Sequence, residues 1–138
     1  MTNPDWSGRE LHFIAIGGAG MSGLALVCHR LGAEVSGSDR ADSSYMERLR
    51  AAGLHPHLGH DAAQVPAGAE VIVSTAIADD NPELAIARER GQRVLHRGEL
   101  LAELCAERRL LAVVVFPWVP ATARRRRSAQ SSARSSPR

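Results

Sequence analysis

The chain has 138 residues, 44% of them hydrophobic, enough for one domain with a buried core. No apolar run approaches the roughly 20 residues that cross a bilayer, and the opening MTNPDWSGRE carries acids where a secretory signal has an apolar stretch. The formal net charge of +2 is unevenly spread: residues 117–138 hold six arginines and no acid, leaving 11 arginines against 15 acids before them, a net of −4. Cys28 and Cys105 fall inside apolar helical patterns, which predicts free thiols in a reducing compartment, the cytoplasm, rather than a disulfide or a metal pair.

After an N-terminal extension, residues 1–9, the elements alternate. Leu11–Ile16 (LHFIAI) reads as a buried strand ended by glycine. Gly20–Leu31 reads as a helix, with Met21, Leu24, Ala25, Cys28 and Leu31 at helical spacing and Gly32 as its stop. Ala33–Ser38 is a second strand, Ser43–Ala52 a helix with a serine start, and Leu54–His57 a short extended piece. Glu70–Ala76 (EVIVSTA) is a further buried strand, and Pro82–Arg90 a helix with proline in its first turn. Gln92–His96 is a strand, Glu99–Glu107 a helix, and Leu110–Phe116 (LLAVVVF) a last strand. Alternation with short connections predicts an α/β fold: a Rossmann-like, doubly wound parallel sheet of five or six strands over residues 10–116. Strands covered on both faces are expected to be apolar throughout. From Pro117 onward the apolar period ends, and the Arg/Ser-rich residues 117–138 read as a disordered basic tail.

The sharpest motif lies between the first strand and the first helix. Gly18-Ala19-Gly20-Met21-Ser22-Gly23 matches G-x-G-x-x-G, with Gly17 in front. Glycines allow a tight turn and a close approach of backbone to a diphosphate, while free N–H groups at the helix start point at the anion. Gly23 is expected to let helix and strand pack closely. NAD, FAD and UDP-sugars all carry a diphosphate, so the loop alone does not select among them. Asp39 ends the second strand near where a dinucleotide-binding domain keeps its ribose-binding acid, which leaves an NAD(P)-binding domain open as an alternative. A plain tight turn at the glycines, and a capping role for Asp39, are the structural alternatives.

The run GGAGMSGLA followed by GAEVSGSD resembles the N-terminal domain of the Mur ligases, the alanine-adding branch in particular. Gly59-His60, Ser74-Thr75-Ala76-Ile77 with Asn81-Pro82-Glu83, and His96-Arg97-Gly98-Glu99-Leu100-Leu101 agree with it, so that the likeness covers about residues 10–115. The resemblance implies a domain that holds the UDP part of UDP-N-acetylmuramic acid, a peptidoglycan precursor. By motif, Gly17, Gly18, Ala19, Gly20, Met21, Ser22 and Gly23 would face the diphosphate and Asp39 would lie near the uridine. Ser74, Thr75 and Ala76 would approach the diphosphate or the sugar, in keeping with ligand binding beyond the carboxyl ends of parallel strands. Arg97 and Glu99 read either as substrate-facing or as a surface helix start. His55, His57 and His60 read as loop residues, with His60 near the substrate, since no fourth ligand accompanies them for a metal.

The family's chemistry uses ATP and magnesium, bound by a lysine-containing loop that follows this domain. The sequence contains no lysine, so no cofactor is expected in this chain itself, and alone it is expected to be inactive as a ligase. Codons compatible with Thr122-Ala123-Arg124-Arg125-Arg126-Arg127, read one base earlier, spell His-Gly-Lys-Thr-Thr-Thr, which suggests a frameshift after about residue 114. On that reading the basic tail is not a nucleic-acid arm, and neither nucleic acid nor membrane is an expected partner. The amino acid that the ligase adds is chosen outside this stretch.

Overall fold

Five short parallel strands carry the fold, and their pairing order fixes where a ligand enters. The computed structural model describes residues 5–108. In chain order they form β1 (Glu10–Ile14), α1 (Ala19–Arg30), β2 (Glu34–Asp39), α2 (Ser44–Ala51), β3 (His57–Leu58), β4 (Glu70–Val73), α3 (Pro82–Glu89), β5 (Val94–His96) and α4 (Arg97–Arg108), with one 3₁₀ turn, Ala62–Gln64, before β4. The sheet order is β3-β2-β1-β4-β5 and every pair is parallel. The order runs outward from β1 in both directions. The loops leaving β1 and β4 therefore diverge at the carboxyl ends of neighbouring strands, the usual entrance of a doubly wound sheet.

β1 is buried on both faces, with the polar His12 buried among its apolar residues. Leu11 and Phe13 pack with Met21, Ala25 and Cys28 of α1, Met46 and Leu49 of α2, and Leu100 and Leu104 of α4. Ile14, one position out of step with them, joins Val65, Val71, Leu84 and Ala87 on the α3 side. Among the described residues no helix is long and apolar enough to cross a membrane. Cys28 is buried and Cys105 half-buried, and both are free thiols.

Three expectations shift. Strands apolar throughout do not extend to β2, whose sequence EVSGSD is only partly buried: on the α3 side its serines meet polar partners rather than an apolar helix face. β4 stops at Val73, so Ser74–Ala76 lie in the turn beyond it, closed by Ile77 N–H donating to the Ser74 carbonyl at 3.2 Å. The extended piece after α2 comes later than Leu54, because the Leu54 N–H bonds back to the Leu49 carbonyl at 3.0 Å and still closes the helix. The starts of α2 and α3 behave as read, whereas α1 begins one residue early at Ala19 and α4 two residues early at Arg97. Ser43 caps α2 through Met46 N–H, and Asn81 caps α3 through the N–H groups of Glu83 and Leu84 with Pro82 at the first turn. The N-terminal extension is described only from Asp5, and the expected strand Leu110–Phe116 and the tail 117–138 lie outside the described residues.

Candidate functional site

The first turn of α1 is built to present bare backbone. Ala15, directly after β1, takes a left-handed conformation at φ 66°, which costs an alanine about 1–2 kcal/mol. Its carbonyl accepts from the Gly18 N–H at 3.2 Å, and Ile16 N–H pairs with the Ser38 carbonyl at 2.9 Å, so the chain turns sharply while still tied to β2. Gly18 is the N-cap and offers no side chain, and no acid occupies the first turn. The leading N–H groups and the positive end of the helix dipole are therefore free for an anion. Gly18, Ala19 and Gly20 are exposed, whereas Met21 points into the core and the Ser22 hydroxyl donates to the Ala19 carbonyl at 3.1 Å.

Two glycines have tasks other than those the motif assigns. The motif gives Gly23 a close helix–strand contact, but this residue is exposed, and a Cβ added there meets nothing within 4 Å. The close approaches are made by Gly37 instead, where a Cβ would stand 2.6 Å from the Phe13 carbonyl, and by Gly17, where it would stand 2.9 Å from Asp39 Oδ2. Gly37 sits in the run GAEVSGSD without a role of its own assigned to it, although a glycine inside a strand is itself a sign of close approach.

Asp39 fastens the glycine loop. Its Oδ2 accepts from the Gly17 N–H at 2.9 Å and its Oδ1 from the Ala41 N–H at 3.0 Å. Ser43 adds a second tie by donating to the Gly17 carbonyl at 3.2 Å.

Arg97 completes the rim. It opens α4, is exposed, and makes no ion pair among the described residues. Its Nη1 lies 2.8 Å from where a Cβ on Gly20 would stand, so the guanidinium rests over the first turn of α1. A cation beside a positive helix end favours an anionic ligand there. The opposite end of α4 holds it there: Glu103 pairs with Arg9 at 3.1 Å and also with Arg93, Glu70 pairs with Arg9 at 2.9 Å and with Arg93 at 2.7 Å, and the Trp6 indole donates to Glu107. Glu99 faces the other way, its carboxylate accepting from the His96 N–H at 2.6 Å and capping the helix start.

Ser74 is half-buried, Thr75 and Ala76 are exposed, and neither hydroxyl makes a side-chain hydrogen bond among the described residues. They stand beyond β4, next to β1 in the sheet, and so border the same entrance. The three clustered histidines separate: His55 and His57 are exposed, while His60 turns inward onto Ser38 and Glu83. A small hollow at the opposite edge, lined by Glu10, Glu34, Val35 and Ser36, presents carboxylates and is unsuited to an anionic ligand. The residues present do not fit an ATP–magnesium site either. There is no lysine, α1 begins without an acid, and both Asp39 oxygens already accept backbone N–H groups.

A sequence profile described as "Mur ligase family, catalytic domain" matches residues 10–109. The chain belongs to the Mur ligase family. It is 55% identical over 96 residues to a UDP-N-acetylmuramate–L-alanine ligase of Symbiobacterium thermophilum, covering 69% of this chain and 20% of that protein. With the enzyme of the same description from Methylobacterium radiotolerans it shares 50% over 113 residues, 82% of this chain and 24% of the relative. The fold superposes on the crystal structure of the UDP-N-acetylmuramate-alanine ligase of Thermotoga maritima with a TM-score of 0.66 at 31% identity, over 70% of this chain and 23% of that one. A murein peptide ligase from Psychrobacter arcticus gives a TM-score of 0.64 at 27% identity, over 70% and 20%. This is the Rossmann-like N-terminal fold of the Mur ligases, and the chain spans between a fifth and a quarter of the length of these curated relatives.

Proposed function

We propose that this domain holds UDP-N-acetylmuramic acid for an ATP-dependent ligase that adds L-alanine to it, a step in making peptidoglycan precursors. The observation that carries the reading is the bare first turn of α1 with Arg97 resting on Gly20, a cation and a helix start together at the carboxyl edge of β1. A diphosphate fits that charge, lying on the N–H groups of Ala19 and Gly20 beside the bare backbone of Gly18, with Arg97 on its outer side. Gly17 and Asp39 shape the loop from behind, and Asp39 lies on the uridine side. Ser74, Thr75 and Ala76 offer hydroxyl and backbone groups toward the sugar. Met21, packed in the core, and Ser22, bonded to the Ala19 carbonyl, support the loop through α1. The likeness to two L-alanine ligases at 55% and 50% identity supports this substrate over another diphosphate. ATP and magnesium belong to parts of such a ligase that these 138 residues do not supply, so this chain alone does not consume ATP. The work is cytoplasmic, where the nucleotide precursor is available.

A second reading, a nicotinamide dinucleotide domain, is favoured by Asp39 at the end of β2. Its carboxylate is already engaged by Gly17 and Ala41, which weakens it as a ribose clamp. Calorimetric titration of the purified chain with UDP-N-acetylmuramic acid and, separately, NADH tests both. Saturable binding of the UDP-sugar with no response to NADH is expected; the reverse pattern overturns the proposal.

A further inference from the structure

Glu83 is a fully buried carboxylate in the first turn of α3, and no part of the diphosphate site uses it. An ion sealed from water costs several kcal/mol unless its neighbours satisfy it. Here they come from four separate segments. The Ser38 hydroxyl, in β2, donates to Oε2 at 2.5 Å. With its one proton committed there, Ser38 accepts from His60 Nδ1–H at 2.8 Å, and the same Nδ1–H reaches Oε2 at 3.2 Å. His12 of β1, itself fully buried, places Nε2 at 3.4 Å from Oε1 and is braced by Ser36 Oγ at 2.8 Å from its Nδ1. The Gln64 amide, in the orientation that satisfies both of its ends, donates to Oε1 and to the Gly59 carbonyl, each at 3.1 Å. Burial pushes the Glu83 carboxyl up, but the His12 and Ser38 contacts outweigh it and hold the group below the usual carboxylate range.

The segments gathered there form the uridine side of the entrance. Ser38 precedes Asp39, whose carbonyl accepts from the Gly59 N–H at 2.7 Å. Asp39 in turn holds Gly17. His60 follows Gly59, and Glu83 stands in the first turn of α3, directly after the turn-rich stretch that begins at Ser74. A single carboxylate thus joins the end of β2, the loop after β3 and the loop after β4.

We propose that Glu83 is a positioning residue for the sugar-nucleotide site: without touching the ligand, its charge fixes Ser38–Asp39 and Gly59–His60 against the loop after β4. The proposal rests on the UDP-sugar reading for its effect on affinity, and on the hydrogen bonds alone for its effect on the loops. The test compares wild type with Glu83→Gln and Ser38→Ala. Gln keeps the shape but offers a second donor where Ser38, His60 and Gln64 already donate, and Ala removes only the hydroxyl link. Three quantities are read at a temperature where each protein is folded: the dissociation constant for UDP-N-acetylmuramic acid, the exchange rate of the Gly59 amide, and the nitrogen chemical shifts of His60.

Wild type is expected to show His60 protonated at Nδ1. Glu83→Gln is expected to lose that signature, whereas Ser38→Ala keeps it through Glu83 Oε2; both variants are expected to exchange the Gly59 amide at least about tenfold faster and to bind the UDP-sugar about tenfold more weakly. Wild-type Gly59 exchange in both variants, or the wild-type His60 tautomer in Glu83→Gln, overturns the proposal. So does affinity within twofold of wild type in both. If wild type itself does not bind the UDP-sugar, the functional reading fails while the exchange and tautomer data still decide the role of Glu83. If Glu83→Gln does not fold, Ser38→Ala carries the exchange and affinity readings, and wild-type values of both overturn the proposal.

Discussion

The Gly17 amide donates to the Asp39 carboxylate at 2.9 Å, and any Cβ on Gly17 would collide with the same oxygen. Loop and strand end are thereby fixed as one unit, at a distance that only glycine permits. Met46 Cγ, 3.0 Å from the same added Cβ, closes the other side. Gly17→Ala therefore has to push the loop away from β2 or break the hydrogen bond, at a cost of about 1–3 kcal/mol. A drop in melting temperature together with loss of UDP-sugar binding is the expected outcome. Asp39→Asn keeps the size and one acceptor, so a smaller loss, about 1 kcal/mol, is expected from the same melting and titration series.

Arg97 and Gly20 make a separable pair. The atom that a methyl on Gly20 would strike is the tip of a flexible side chain, not backbone. Gly20→Ala should leave the fold intact, because the exposed guanidinium can swing aside, yet it displaces the cation from the helix start. Arg97→Ala removes the cation outright. Both variants are expected to melt near wild type and to bind the UDP-sugar about tenfold more weakly, the usual scale for one charge-assisted contact to phosphate in a solvent-exposed site. The wild-type affinity should also fall more steeply with added salt than that of Arg97→Ala. Equal salt slopes in titrations at low and high ionic strength would remove Arg97 from the phosphate.

Gly23 gives a test in the opposite direction. It lies within α1, is exposed, and a methyl there meets open space. Gly23→Ala should stabilise the protein by about 0.5–1 kcal/mol, the difference in helix propensity between the two residues. Denaturant titration measures it. A destabilised Gly23→Ala would mean that the third glycine of the motif has a packing partner after all.

Much of this was legible from residue types. The doubly wound order follows from alternating strands and helices, and the free helix start from glycines with no acid or hydroxyl cap at Gly18. Local chemistry also marked the serine start of α2 and the proline in the first turn of α3, while the Asn81 cap emerged only from the structure. The motif misassigned its third glycine, because G-x-G-x-x-G encodes spacing along the chain and not which side of α1 faces the sheet. Arg97 could be named but not placed, since its position over Gly20 depends on the contacts that Arg9, Arg93 and Trp6 make at the far end of α4. The carboxylate of Glu83 was invisible as a buried charge: a Pro-Glu pair at a helix start reads as solvent-facing, and only the fold brings His12, Ser38 and His60 onto it.

Cys28 should answer to pH and to thiol reagents differently from Cys105. Burial pushes the Cys28 thiol up from 9.0 to about 12. Its folded pKa therefore lies above the unfolded one, so the folded state keeps a proton that the unfolded chain releases. This contribution to stability is fully present below about pH 9, the unfolded value, and is lost as pH rises toward 12. Thermal melts between pH 7 and pH 10.5 should show falling stability above pH 9, and Cys28→Ala should flatten that fall while lowering stability at pH 7 through the cavity it leaves beside Leu11 and Phe13. Because the thiolate is the reactive form, an alkylating reagent at pH 8 should modify the half-buried Cys105 readily and Cys28 only when the protein is unfolded. Equal labelling of the two cysteines in folded protein would show that the α1 face of the core opens far more often than its packing implies.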